Sequence, residues 1–199
     1  MYIFDLDGTL VDSVEAHVEA WREAARRFGR PISREEMRAL IGLPAPKIAE
    51  IIAGPRASEL MELKKRLFLE DYISLVKPFE DVEALAGLRR PIAVVTSSNA
   101  VLARAVLERT GLSRYVDFLL GGDEVPRGKP NPDPLYVVAS RFGVSPRDMI
   151  VVGDTQYDVE MALSAGAVPV CISRDGRICK DGIIHIKSLY ELLNKKLFP

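Results

Sequence analysis

The sequence predicts an α/β protein: a Rossmann-like parallel sheet flanked by helices, with a small inserted α-helical cap. Three observations lead there. Short apolar runs alternate with longer amphipathic stretches, the pattern of strand–helix units that build a parallel sheet. One block early in the chain reads as helix after helix, with no strand-like run inside it. Carboxylates recur where predicted strands end, and that edge is where open α/β sheets bind ligands.

The strands are expected at residues 1–6, 91–96, 116–120, 149–153 and 168–172, with a shorter one at 183–186. Helical patterns fill 100–110, 133–142, 157–165 and 188–196 between or after them. The helix-only block contains patterns at 14–28, 33–41, 45–53 and 57–75. Ser33-Arg34-Glu35-Glu36 has the form of a capping box opening the second of these helices. We therefore expect a catalytic core from residues 1–10 and 79–199 and a helical cap from 11–78. The crossings near 10–13 and 77–81 are the natural hinges between them.

Composition narrows the function classes. The 199 residues carry a net charge of −1, so there is no strong field to gather nucleic acid or an anionic membrane surface. No apolar run approaches the ~18 residues of a membrane span. The first ten residues hold two Asp and no basic residue, unlike a secretory leader. The expectation is a cytoplasmic protein, monomeric or a small homo-oligomer, that engages neither nucleic acid nor membrane. Asn and Gln together number four against eighteen Arg, a balance similar to that of thermophile proteins.

The chemistry gathers at strand ends. The first strand runs into Asp5-Leu6-Asp7-Gly8-Thr9, and carboxylates two residues apart on a strand face the same side. Such close like charges need a cation or a proton between them. Gly8 permits a sharp turn and a close backbone approach to an anion. The strand ending at Gly153 leads into Asp154, with Asp158 one helical turn on. Clustered hard oxygen ligands suit Mg²⁺. Asp158 also fits a helix cap or an ion pair. Thr96 and Ser97, at a strand end before a helix, suit a phosphoryl group. Lys129 stands in a Gly-Lys-Pro-Asn-Pro turn before the helix at 133–142.

The order and form of these four segments resemble the haloacid dehalogenase superfamily of phosphatases, in the branch that holds β-phosphoglucomutase and phosphoglycolate phosphatase-like enzymes. The likeness spans nearly the whole chain. It implies that Asp5 is the nucleophile and Asp7 the acid/base, and that Gly8, Thr96, Ser97 and Lys129 bind phosphate. Mg²⁺ would be held by Asp5, the backbone carbonyl of Asp7 and Asp154, with Asp158 behind them. The helical block looks like the family's small cap, with His17 and Gly42 on the substrate side; His17, four residues before Trp21, equally fits cap packing. The implied function is Mg²⁺-dependent hydrolysis of a small phosphomonoester through an aspartyl-phosphate. The alternatives are a mutase or a catalytically silent binding protein on the same fold. The loop from residue 40 to 46 (Leu-Ile-Gly-Leu-Pro-Ala-Pro) is more apolar than the mutase pattern, in which basic residues grip a second phosphate.

Cys171 and Cys179 flank Asp175-Gly176, a strong turn pair. A hairpin centred there would leave the cysteines one step out of register, and a bulge would bring them within disulfide reach. Two free thiols are the alternative.

Overall fold

A computed structural model of the chain describes residues 1–41, 43–174, 176 and 179–194. It divides into two compact units, one of residues 1–11 and 78–199, the other of residues 12–77.

The first unit is built on a six-stranded sheet. Its strands are β1 (Tyr2–Phe4), β4 (Ile92–Val95), β5 (Phe118–Leu120), β6 (Ile150–Gly153), β7 (Val168–Ile172) and β8 (Ile184–Ile186), numbered to leave β2 and β3 for two short strands at the unit boundary. The order is β5-β4-β1-β6-β7-β8, and each pairing is parallel. β1 is central: Phe4 lies opposite Val94 of β4 on one side and Val152 of β6 on the other. The chain builds outward from β1 through β4 to β5, then returns to β1's other flank for β6. That reversal opens a crevice at the carboxyl ends of β1, β4 and β6.

The strands read as unbroken apolar runs because a parallel sheet is covered on both faces. Ile92, Ala93, Val94 and Val95 are all buried. One layer packs Ile3, Ala93, Val95, Leu120, Val151 and Met161 together. α5 (Ala100–Arg109), α6 (Asp133–Phe142) and α7 (Gln156–Ala165) supply the flanking helices. Gly143 and Gly166 end α6 and α7 in the left-handed region, where glycine carries no Cβ penalty.

The second unit is helical: α1 (Val14–Arg27), α2 (Arg34–Leu40), α3 (Ala45–Ala53) and α4 (Ala57–Leu67), followed by a π-turn at Phe68–Tyr72. In α1 the buried residues Val18, Trp21, Ala24 and Ala25 recur at helical spacing and pack with Met37, Ile48, Leu60 and Leu67. The box at Ser33 is present: Ser33 Oγ accepts from Glu36 N–H at 3.1 Å, and Glu36 Oε2 accepts from Ser33 N–H at 2.9 Å. At the unit boundary, β2 (Val11–Asp12) and β3 (Lys77–Pro78) form a two-stranded sheet of their own.

One expectation is corrected. The pattern at 57–75 does not run as one α-helix, since α4 stops at Leu67, the chain widens into the π-turn and then tightens into a 3₁₀ turn at Ile73–Leu75. β8 pairs with β7 in parallel, with Cys171 opposite His185. Cys171 and Cys179 are bonded, with Cα atoms 6.0 Å apart. Asp175, half of the turn pair expected between them, lies outside the described residues.

Candidate active site

Three strand ends deliver the side chains. Asp5 follows β1 directly and is fixed in place when its N–H donates to the Val152 carbonyl of β6 at 2.9 Å. Thr96 follows β4 and Asp154 follows β6. Asp5 and Thr96 are buried, and Asp154 is partly so.

Lys129 enters from the turn before α6. That turn is braced by Asn131 Nδ2 donating to the Gly128 carbonyl at 3.0 Å and by the Arg127–Asp133 ion pair. The Lys129 ammonium lies 2.5 Å from Asp5 Oδ1 and 2.6 Å from Asp158 Oδ1, with side-chain exposures of only 5, 9 and 3% for the three residues. Asp158 uses its other oxygen to cap α7, accepting from the Thr155 N–H at 3.2 Å and the Thr155 hydroxyl at 2.6 Å. The two readings of Asp158, helix cap and ion-pair partner, are both realised.

Asp154 Oδ1 accepts from the Thr9 hydroxyl at 3.3 Å. Gly8 turns with φ +89°, and a Cβ there would fall 2.3 Å from Asp154 Oδ2. Position 8 therefore needs glycine for its backbone and for its space. Asp7 Oδ2 accepts from the Ser98 hydroxyl at 2.7 Å and lies 3.4 Å from the Thr96 hydroxyl.

Charge is out of balance here. Burial, with the nearby charges of Asp158, Asp154 and Asp7, pushes the Asp5 carboxyl well above the ordinary range, against the pull of Lys129. Burial and the Asp158 charge push Asp154 up to about 6. Lys129 is held firmly charged, because Asp158 and Asp5 outweigh the burial that alone would lower it. Four carboxylates against one ammonium leave room for a divalent cation. Ligand oxygens of Asp5, Asp154 and Asp158 lie within 4.8 Å of one another, and an all-oxygen set of this kind suits a hard ion. Since Asp158 already serves Lys129 and Thr155, Asp5 and Asp154 are the better-placed donors.

Other expected residues fare differently. Ser97 is exposed. Ser98, which belongs to the same Thr-Ser-Ser run but was not singled out over Ser97, is the serine whose hydroxyl reaches Asp7; spacing alone could not say which of the two faces inward. His17 belongs to the helical unit, where Nδ1 lies 2.8 Å from Lys64 Nζ and the ring stacks on Phe68 at 4.6 Å. Gly42 lies outside the described residues. No helix among the described residues is long and apolar enough to cross a membrane.

The haloacid dehalogenase-like hydrolase family model matches residues 2–172. The chain belongs to that family. Among its haloacid dehalogenase-like relatives, the fructose-1-phosphate phosphatase of Escherichia coli (strain K12) is 34% identical over 82% of this chain and 91% of its own length. The phosphorylated carbohydrates phosphatase of Thermotoga maritima is 32% identical over 82% and 80%. A crystal structure of a family IA, variant 3 hydrolase from Entamoeba histolytica superposes with TM-score 0.83 at 26% identity, covering 98% of this chain and 96% of that one. A putative β-phosphoglucomutase from Thermotoga maritima gives TM-score 0.71 at 29% identity, covering 98% and 97%.

Proposed function

We propose that this chain, a haloacid dehalogenase-like phosphoric monoester hydrolase, cleaves a small phosphorylated metabolite in two steps, with Asp5 as the transient phosphoryl carrier. The observation that carries the reading is the buried Asp5 carboxylate at the end of β1, gripped by Lys129 and adjoining the Asp154–Asp158 pair. Relatives named for fructose 1-phosphate, phosphorylated carbohydrates and phosphoglycolate support a compact, hydroxylated phosphate ester as substrate.

Asp5 attacks phosphorus in line, forming a carboxylate–phosphorus bond as the ester oxygen leaves. Asp7 gives its proton to the departing alkoxide. It then takes a proton from the water that attacks the acyl phosphate and releases inorganic phosphate. Lys129, the Thr96 hydroxyl and the backbone N–H groups after Asp7 and Thr96 bind the phosphoryl oxygens and take up their charge. Mg²⁺ held by Asp5, the Asp7 carbonyl and Asp154, with Asp158 behind, would supply further charge neutralisation and orientation. The residue 12–77 unit serves as a cap that selects substrate and excludes water, with hinges where the chain crosses between units. The apolar run around Gly42 gives a second phosphate no anchor, which favours hydrolysis over mutase chemistry.

The test is a panel of phosphate esters assayed with Mg²⁺ and with chelator, joined to acid-quench trapping of the phosphoenzyme. Turnover that needs the metal, and a hydroxylamine-labile phosphoryl adduct on Asp5 that Asp5→Asn lacks, are expected. Substantial hydrolysis by purified, folded Asp5→Asn, or full activity after exhaustive metal removal, would sink the assignment.

A further inference from the structure

Arg174 plays no part in the chemistry above, yet it occupies a distinctive position. It lies just past the end of β7, in the segment that the Cys171–Cys179 disulfide closes. Its guanidinium is largely buried. Nη2 donates to the Thr9 carbonyl at 2.7 Å. Nη2 and Nη1 fork onto Asp81 Oδ1 at 2.9 Å and Oδ2 at 3.2 Å. The guanidinium carbon stands 3.7 Å from the centre of the Phe79 ring.

One side chain thus grips both stretches of the first unit from which the chain departs toward residue 12 and to which it returns after residue 77. Those stretches also bond to each other, as Phe79 N–H donates to the Leu10 carbonyl at 3.1 Å. Asp81 is tied down in turn by the Leu189 N–H at 2.8 Å. The Thr9 contact matters most. Thr9 is fully buried, follows Asp7 by two residues and donates its hydroxyl to Asp154. Its peptide ends the turn that Gly8 packs against Asp154. A charge-assisted hydrogen bond to that carbonyl fixes the turn from behind.

We propose that Arg174 is a positioning residue for the phosphoryl-transfer site: through the Thr9 carbonyl it sets the placement of the Asp7–Thr9 turn, and through Asp81 and Phe79 it locks that turn to the returning segment just after β3. This rests on the functional reading above. An ion pair that only held the fold together would change stability and leave turnover alone. A group that sets the turn changes the rate of the chemical step, since a misplacement of ~1 Å can cost roughly 10²-fold. Lysine cannot substitute, because its single ammonium has neither the planar fork nor the stacking face.

The test compares Arg174→Met, Arg174→Lys and Arg174→Ala with the parent, using p-nitrophenyl phosphate and Mg²⁺, inhibition by inorganic phosphate, and backbone hydrogen exchange. Arg174→Met should lose about 10–100-fold in kcat, a larger change than any in KM or in the inhibition constant for phosphate. Arg174→Lys should not recover the rate. Added ethylguanidinium should restore part of it to Arg174→Ala and none to Asp7→Asn. A folded Arg174→Met with parental kcat, or a loss carried by KM alone, overturns the proposal. If Arg174→Met does not fold, Arg174→Lys, which keeps the charge, carries the same comparison. If the parent itself hydrolyses no ester, the functional reading fails separately. Exchange then decides the clamp: the Leu10 and Val11 amides, both bonded to the Leu6 carbonyl, should lose protection in the variants, and unchanged protection overturns it.

Discussion

Replacing Lys129 by Met removes the only cation that touches Asp5 and Asp158 among the described residues, at nearly constant length. All three side chains are almost fully buried, so water cannot replace the ammonium. Breaking a buried pair from one side typically costs about 3–5 kcal/mol. An upper limit also follows from proton uptake. A stranded carboxylate can escape by protonation, and from an ordinary value of 3.8 that costs about 4 kcal/mol at pH 7 and less than 2 at pH 5, at 1.36 kcal/mol per pH unit. The penalty should therefore be about 3–4 kcal/mol at pH 7 and should shrink with acid. The sign is consistent: a carboxylate whose folded pKa is raised destabilises the fold as pH climbs above its unfolded value. Lys129→Met/Asp158→Asn should recover much of the loss, because the amide can still cap Thr155 while carrying no charge. Urea unfolding of parent, single and double variants in chelator, at pH 5 and pH 7, reads both effects. A loss under 1 kcal/mol at pH 7, or one that does not change with pH, would refute the reasoning.

Asp7→Asn should slow turnover by roughly 10²–10⁴, with a smaller loss in phosphoenzyme formation from p-nitrophenyl phosphate than from alkyl phosphates; equal losses in rapid quench would remove its role as acid. Asp81 is held below its ordinary value: burial alone would raise it, but Arg174 and the Leu189 N–H outweigh that. Its contribution to stability is complete above pH 3.8 and disappears as pH falls below that, so the stability gap between parent and Asp81→Asn should narrow in acid melts; a gap constant with pH contradicts this. The Cys171–Cys179 loop, closed over a separation of eight residues, should contribute about 2–3 kcal/mol, visible as a lower melting temperature for Cys179→Ser; two thiols that alkylate without reductant would disprove the bond.

The sheet was legible because burial on both faces leaves an unbroken apolar run, and β4, β6 and β7 are such runs bounded by polar turns. The candidate site was legible for a related reason: the carboxylates placed directly after β1 and β6, Asp5 and Asp154, have few structural explanations. Long-range pairing was not legible. Nothing near Arg174 in the sequence announces Asp81, 93 residues away, and nothing distinguishes Ser98 from Ser97 until the backbone is drawn.

Lys129 is tethered at two points, and in the mechanism we propose only one of them takes part in bond-making. If Asp5 becomes an acyl phosphate as proposed, its oxygen surrenders the negative charge to the phosphoryl group it then carries. Asp158, occupied with its helix cap, keeps its own. The ammonium can then slide from carboxylate to phosphoryl oxygen while moored to Asp158, as a boat swings on one anchor when the other is lifted. It is never stranded without a counter-charge, so each half of the cycle begins from the same local balance.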